Sequence, residues 1–273
     1  MTRTPAAARW ERQVRARLDE TKVLRKAAGL PGDLWSRRAK RFAAAVGQAD
    51  REEPVLARLL AEPARTYVDV GAGTGRYAIP LARAGRTVIA VEPSAPMRAE
   101  LGTQPRLSVV AKPWPEATAS GDVVFAAHVL FLVPRAVAFL AAMTRSARVA
   151  GVVVLAAVHS DGFYDPLWRH FHARPRARNP TFLDAVTLLR ELGVHPTFEV
   201  VPGAGGARYR DVASALADLR ENLCLARSAD ADRELRRVAT GWLVRTADGL
   251  RIPGTPAPTA IIRWAPVTRA SAR

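Results

Sequence analysis

Between Thr66 and Val91 an apolar run, a glycine cluster, a helical run and a second apolar run follow one another directly. Tyr67-Val68-Asp69-Val70 leads into Gly71-Ala72-Gly73-Thr74-Gly75, the helical stretch Tyr77 to Ala84 follows, and Thr87-Val88-Ile89-Ala90-Val91 closes the unit. A short apolar strand, a crossover helix and another short apolar strand make a β-α-β motif, whose strands run parallel. The alternation continues. A helix is expected from Pro96 to about Leu101, strands at Leu107 to Val110 and Val123 to Ala127, a helix from Arg135 to Arg145 and a strand at Val152 to Val158. Near-continuous apolar strands separated by helices imply a parallel sheet covered on both faces, hence a doubly wound α/β fold.

The flanks differ in character. Residues 5 to 62 are rich in Ala, Leu, Arg and Glu, are broken by the turn Gly29-Leu30-Pro31-Gly32, and predict about three helices before any strand. Residues 1–62 thus read as an N-terminal helical lid and 63–273 as the α/β domain. After His159 an irregular polar-aromatic segment is expected from Ser160 to Arg178, then a helix from Thr181 to Leu192 and a strand at Thr197 to Val201. Gly203, Gly205 and Gly206 bend the chain, and helices at Val212 to Ala226 and Ala229 to Thr246 precede a last strand, Thr259 to Trp264. The sheet is then seven-stranded and mostly parallel, with 160–180 and 203–256 as insertions on the substrate side.

Composition excludes several classes. Hydrophobic residues make up 49% and charged ones 24%, so a large packed core is expected rather than disorder. Cys224, the single cysteine, supports neither a disulfide framework nor a cysteine-based zinc site. The richest apolar stretch, Val123 to Met143, is interrupted by His128, Pro134 and Arg135, short of the roughly 20 apolar residues of a membrane span. The N-terminal residues lack the apolar region of a secretory signal, so a cytoplasmic protein without membrane contact is expected. The formal charge is +16, which attracts anionic partners. Only Lys22, Lys26, Lys40 and Lys112 among the 41 basic residues are lysines, however, and a skew toward arginine also arises from G+C-rich coding.

The glycine cluster carries the chemistry. Glycines between a strand and a helix let the chain turn sharply and let a ligand approach main-chain amides. A dinucleotide site favours G-x-G-x-x-G/A, with a small last residue. Here that position is Arg76, and the third glycine falls one residue early, at Gly75. Asp69, two residues before the first glycine, would repel a pyrophosphate but attract the ammonium and sulfonium of S-adenosyl-L-methionine. Glu92, at the end of the second strand, is placed to accept hydrogen bonds from both hydroxyls of a ribose.

These residues resemble the class I S-adenosylmethionine-dependent methyltransferases, over roughly Thr66 to His159. Val68-Asp69-Val70-Gly71-Ala72-Gly73-Thr74-Gly75 is similar to the family's first motif, which wraps the methionine part of the cofactor. Ala90-Val91-Glu92-Pro93-Ser94 with Met97 is similar to the second, in which the acid holds the ribose and the following residues flank the adenine. Gly121-Asp122-Val123-Val124-Phe125-Ala126-Ala127-His128-Val129-Leu130 is similar to the fourth-strand motif, which ends beside the methyl-transfer centre. The resemblance implies a Rossmann-like methyltransferase fold, S-adenosyl-L-methionine as cofactor, and contacts from Asp69, Gly71, Ala72, Gly73, Gly75, Glu92, Pro93, Met97 and His128. One departure stands out: where many relatives place an acid for the adenine amino group, this chain reads Val110-Ala111-Lys112-Pro113-Trp114-Pro115, and Trp114 becomes the candidate stacking face.

Methyl transfer is a direct displacement that needs alignment and, for a hydroxyl acceptor, a base. His128 and His159 end the fourth and fifth strands, on the edge where doubly wound folds bind ligands, and are the candidate catalytic residues. Their alternatives are cofactor contact or a structural hydrogen bond for His128 and a polar strand cap for His159. His170 and His172, spaced i, i+2 on a helix, would point to different faces, so no metal site is expected. Trp35 to Phe42, with Arg37 and Arg41, is the segment expected over the pocket. Arg174, Arg176 and Arg178 form a second basic cluster. A small-molecule methyltransferase is the first functional expectation. An RNA methyltransferase using the positive field is the second, although the Asn/Asp-Pro-Pro-Tyr signature is missing after the fourth strand, where His128-Val129-Leu130-Phe131 stands. A non-catalytic module that binds the cofactor is the third.

Overall fold

The computed structural model describes residues 4–30, 39, 40, 43, 49, 50, 52–158, 161–204, 208–247 and 249–266. His159, the segment from Trp35 to Arg38 with Arg41 and Phe42, and Gly205 and Gly206 lie outside the described residues. Seven strands form one sheet: β1 (Thr66–Val70), β2 (Thr87–Val91), β3 (Leu107–Val110), β4 (Gly121–Ala127), β5 (Ala147–Ala156), β6 (Thr197–Val201) and, last in the chain, β10 (Thr259–Trp264). Their order is β3-β2-β1-β4-β5-β10-β6. The pairs from β3 to β5 are parallel, whereas β10 runs antiparallel to both β5 and β6. The doubly wound, mostly parallel architecture is therefore present. Its central strands are buried on both sides, as their near-continuous apolar runs require.

Helices cover the two faces. On one, α1 (Pro5–Ala27) starts at the Thr4 cap and sinks Ala6, Trp10 and Val14 into a core shared with Leu140 of α5 (Ala136–Ser146) and Leu188 of α7 (Phe182–Glu191). The Trp10 indole N–H donates to the Val133 carbonyl at 2.9 Å, so the aromatic body is buried and its polar edge satisfied. On the other face, α2 (Pro54–Ala61) and α3 (Ala78–Arg83) pack Leu56, Leu59 and Leu81 against Tyr67, Val88 and Phe125. A short helix, α4 (Ala95–Ala99), follows β2.

The insertions correct the sequence reading in two places. The segment expected to be irregular contains α6 (Asp161–His172), despite Gly162 and Pro166. Leu167 and Trp168 of that helix are fully buried with Leu216, Leu219 and Leu223, and this burial outweighs the hydrogen bond a proline removes. The helix expected to reach Thr246 ends at Trp242, and Val244–Thr246 is instead a strand. It belongs to a second sheet that the sequence did not announce, in the order β7 (Arg208–Tyr209), β9 (Gly249–Arg251), β8 (Val244–Thr246). Helices α8 (Val212–Asn222) and α9 (Ala229–Trp242) complete this cap, whose core also takes in Leu24 of α1.

Topology places the cap. Strands β1, β2, β4 and β5 all end on one edge of the sheet; β6 ends and β10 begins on that same edge. The insertion after β5 therefore leaves from this edge, and the one between β6 and β10 both leaves and re-enters on it, where the glycine loop lies.

Candidate cofactor cleft

The loop after β1 turns through three left-handed glycines, Gly71, Gly73 and Gly75, with φ of 77°, 57° and 86°. An L side chain is strained at each. At Gly71 a Cβ would lie 2.6 Å from Val129 Cγ2, and at Gly75 it would lie 2.6 Å from Ile79 Cδ1. These two glycines allow close packing of the loop on the end of β4 and on α3. At Gly73 a Cβ would meet nothing within 4 Å, so this glycine fronts open space and is the point where a ligand can approach the backbone.

Two carboxyl groups sit beneath the loop. Asp69, on β1, is 2% exposed and accepts a hydrogen bond from the Ala78 N–H at the start of α3. Burial first, then the negative charge of Glu92, raises its pKa well above the ordinary carboxylate range, with the Ala78 N–H opposing. Glu92, just past β2, is 7% exposed, and its two oxygens accept from Gly73 N–H at 2.9 Å and Ser94 N–H at 2.8 Å. It ties the glycine loop to the β2 turn. Arg98 braces the same turn by donating to the carbonyls of Glu92 and Pro93 at 2.9 Å and 2.7 Å. Pro93 is exposed and Met97 is buried on α4, one to either side of this braced corner.

His128 stands at the end of β4 with φ of 59°, its N–H donating to Val154 O of β5 at 2.8 Å. The residue is exposed at the surface, with the chain packed densely around it. That crowding, and then the positive charge of Arg76, hold the imidazole pKa down at about 4. The ring is therefore neutral near pH 7. Because Val129 fills the space beside Gly71, His128 and the glycine loop share one corner of the cleft.

Trp114 lies in the loop between β3 and β4. Its indole N–H donates to Phe139 O of α5 at 3.2 Å, and the ring packs against the main core, partly buried. His170 and His172 diverge, as their spacing implied: one contacts Glu234 Oε1 and the other Leu223 O, each at 2.7 Å. Arg174 pairs with Glu20 and so fastens the cap to α1, while Arg176 lies over the Trp168 ring, 4.2 Å from its centroid, within the cap. Arg76, noticed in the sequence only because it departs from a dinucleotide pattern, turns out to contact several segments at this edge. Its position next to the glycine loop was the available signal.

The arrangement fits a cationic nucleoside ligand: an open backbone approach at Gly73, one acid below the loop, and a second acid at the turn after β2. Comparisons with known proteins agree. Residues 68–155 match the family model described as a methyltransferase domain. No curated protein matches the sequence. Among solved structures, the chain is similar to the magnesium protoporphyrin IX methyltransferase of Synechocystis, solved with S-adenosylhomocysteine, at 16% identity and a TM-score of 0.51, over 84% of this chain and 93% of that one. It is also similar to the plantazolicin methyltransferase, solved with a triazolic desmethylPZN analogue and S-adenosylhomocysteine, at 13% identity and a TM-score of 0.52, over 94% of this chain and 99% of that one. At such identities the likeness is one of fold.

Proposed function

We propose that the chain is a class I S-adenosylmethionine-dependent methyltransferase and that it methylates a small-molecule acceptor. The observation that carries the choice of acceptor is topological. Both insertions spring from the carboxyl edge of the sheet and fold together into a cap with its own apolar core, fastened to α1. A cap over the cleft encloses a small acceptor and excludes water; a broad open face would suit RNA better.

In this reading Glu92 exchanges its Gly73 and Ser94 contacts for the ribose hydroxyls. Gly71, Ala72, Gly73 and Gly75 let the methionine part lie against the loop, with Asp69 supplying negative charge beneath it. Pro93 and Met97 flank the adenine, and Trp114 bounds that end from the loop after β3. When bound, the cofactor supplies an activated methyl group on a sulfonium. The chain's part is to hold the acceptor in line and to keep the site dry. His128 is neutral at pH 7 and so is able to accept a proton from a hydroxyl acceptor, or to hold a nitrogen acceptor by a hydrogen bond. His159 is the second candidate for that role.

The test is incubation with methyl-labelled cofactor and a fractionated extract. Label is expected in small metabolites. Label in RNA would replace the proposal with the second functional expectation, and tight binding of S-adenosylhomocysteine without transfer to any fraction would leave a binding module.

A further inference from the structure

Arg76 joins three segments at the carboxyl edge. Its carbonyl accepts from Ala49 N–H at 3.0 Å, its guanidinium lies 3.8 Å from the Glu53 carboxylate, and Nη2 donates to Ala204 O, just past β6, at 3.3 Å. The guanidinium also sits over the Tyr77 ring, 5.4 Å from its centroid, and its charge is felt by His128. It is largely shielded from water, with 13% of the side chain exposed. A cation in such a place favours anions strongly.

The loop itself offers few donors to an anion. Gly71 and Ala72 N–H both donate to Val91 O, Gly75 N–H donates to Ala72 O, and Gly73 N–H is held by Glu92. An amino-acid ligand lying along this loop brings a carboxylate as well as an ammonium. Asp69 and Glu92 suit the cationic and sugar parts; they repel the carboxylate.

We propose that Arg76 recognises the α-carboxylate of the cofactor's amino-acid end, and that Glu53 is its stand-in while the cleft is empty. The proposal rests on the cofactor assignment above. Glu53 is suited to yielding its place. Its Oε2 already accepts from Leu56 N–H at 2.8 Å as the cap of α2, and its Oε1 is 3.3 Å from the Tyr77 hydroxyl. It thus keeps partners when the guanidinium turns to the ligand. Because Glu53 precedes α2 and Ala204 follows β6, the same switch would report cofactor binding to the N-terminal segment and to the cap.

Calorimetry with two thioethers tests this in the full chain: S-adenosylhomocysteine, and its decarboxylated counterpart, which keeps the ammonium and lacks the carboxylate. Wild type is expected to prefer the first. Arg76→Gln should weaken S-adenosylhomocysteine binding by about 10- to 100-fold, the range of one charged hydrogen-bonded contact, and leave the decarboxylated compound nearly unchanged. Arg76→Lys should fall between. Glu53→Gln should act in the opposite direction, tightening S-adenosylhomocysteine alone, which a merely structural role would not produce. An equal loss for both compounds in Arg76→Gln, with no selective gain in Glu53→Gln, would overturn the proposal. Wild type that binds neither thioether would overturn the cofactor assignment itself.

Discussion

Asp69 on β1 and Glu92 just past β2 are both buried, and the charge of Glu92 adds to the effect of burial in raising the Asp69 carboxyl pKa well above its ordinary range. The folded protein therefore holds the Asp69 proton to higher pH than the unfolded chain does. The group's stability contribution is full below the ordinary carboxylate range and is lost as pH rises toward the folded pKa. Asp69→Asn keeps an acceptor for the Ala78 N–H without the charge. It should melt higher than wild type at pH 7.5, by roughly 2–4 °C for each kcal/mol recovered, with the gap closing at pH 4.5. The same variant should lose at least about tenfold in S-adenosylhomocysteine affinity, the size of one charge-assisted contact. Scanning fluorimetry at the two pH values and calorimetry check both halves; a variant no more stable at pH 7.5 than at pH 4.5, relative to wild type, contradicts the argument.

The glycines separate folding from binding. A methyl at Gly73 meets nothing, so Gly73→Ala should cost only the left-handed backbone penalty of about 1–2 kcal/mol while filling the ligand's approach. At Gly75 a methyl meets Ile79 Cδ1 at 2.6 Å and Leu101 Cδ2 at 2.8 Å, so Gly75→Ala adds an overpacking cost of about 1–3 kcal/mol to the same penalty. Urea denaturation should rank Gly75→Ala below Gly73→Ala in stability. Calorimetry should show Gly73→Ala folded and impaired in cofactor binding.

How far these features were legible in the sequence depended on whether a residue's role is set locally. The strands Thr87–Val91, Leu107–Val110, Thr197–Val201 and Thr259–Trp264 occur where they were expected, because short runs rich in β-branched residues between turns admit little else. Asp161–His172 was missed because Gly162 and Pro166 are local breakers, whereas the helix is held by distant partners of Leu167 and Trp168. The strands of the small sheet, two or three residues each, are too short to show a period. The site divides the same way. Gly71, Gly73, Gly75 and Glu92 announce themselves by spacing within a single β-α-β unit. The contacts of Arg76 with Glu53 and Ala204, and that of Trp114 with Phe139, join segments remote in the chain, and no local pattern encodes them.

His128 combines a left-handed backbone with a neutral ring. Asn tolerates positive φ, so His128→Asn should remain within about 1 kcal/mol of wild type, whereas a β-branched valine there should cost more. The lowered pKa sets a pH dependence of its own. The unfolded chain takes up the proton first, so the stability contribution is present above the ordinary histidine range and is lost as pH falls toward about 4. His128→Asn should flatten that slope between pH 7 and pH 5, measured as the urea midpoint. A titration of the ring followed by NMR should have its midpoint well below the ordinary histidine value.

Arg25 of α1 and Glu221 of α8 form an ion pair with side chains only 3% and 9% exposed, Nη1 and Nη2 both lying 3.1 Å from Glu221 Oε2. A pair so far out of water gains from Coulomb attraction what it loses in hydration, and its net contribution is small. Removing one partner is another matter, because the remaining charge has no water to turn to. Arg25→Met or Glu221→Leu alone should destabilise by about 3–5 kcal/mol, while the double variant should recover most of the loss. The pair also joins the N-terminal helix to the cap, so the single variants should loosen that junction before the sheet unfolds. Hydrogen exchange should then show lost protection confined to α1 and α8 in the single variants and restored in the double. Equal losses in the sheet would mean instead that α1, the cap and the sheet unfold as one unit.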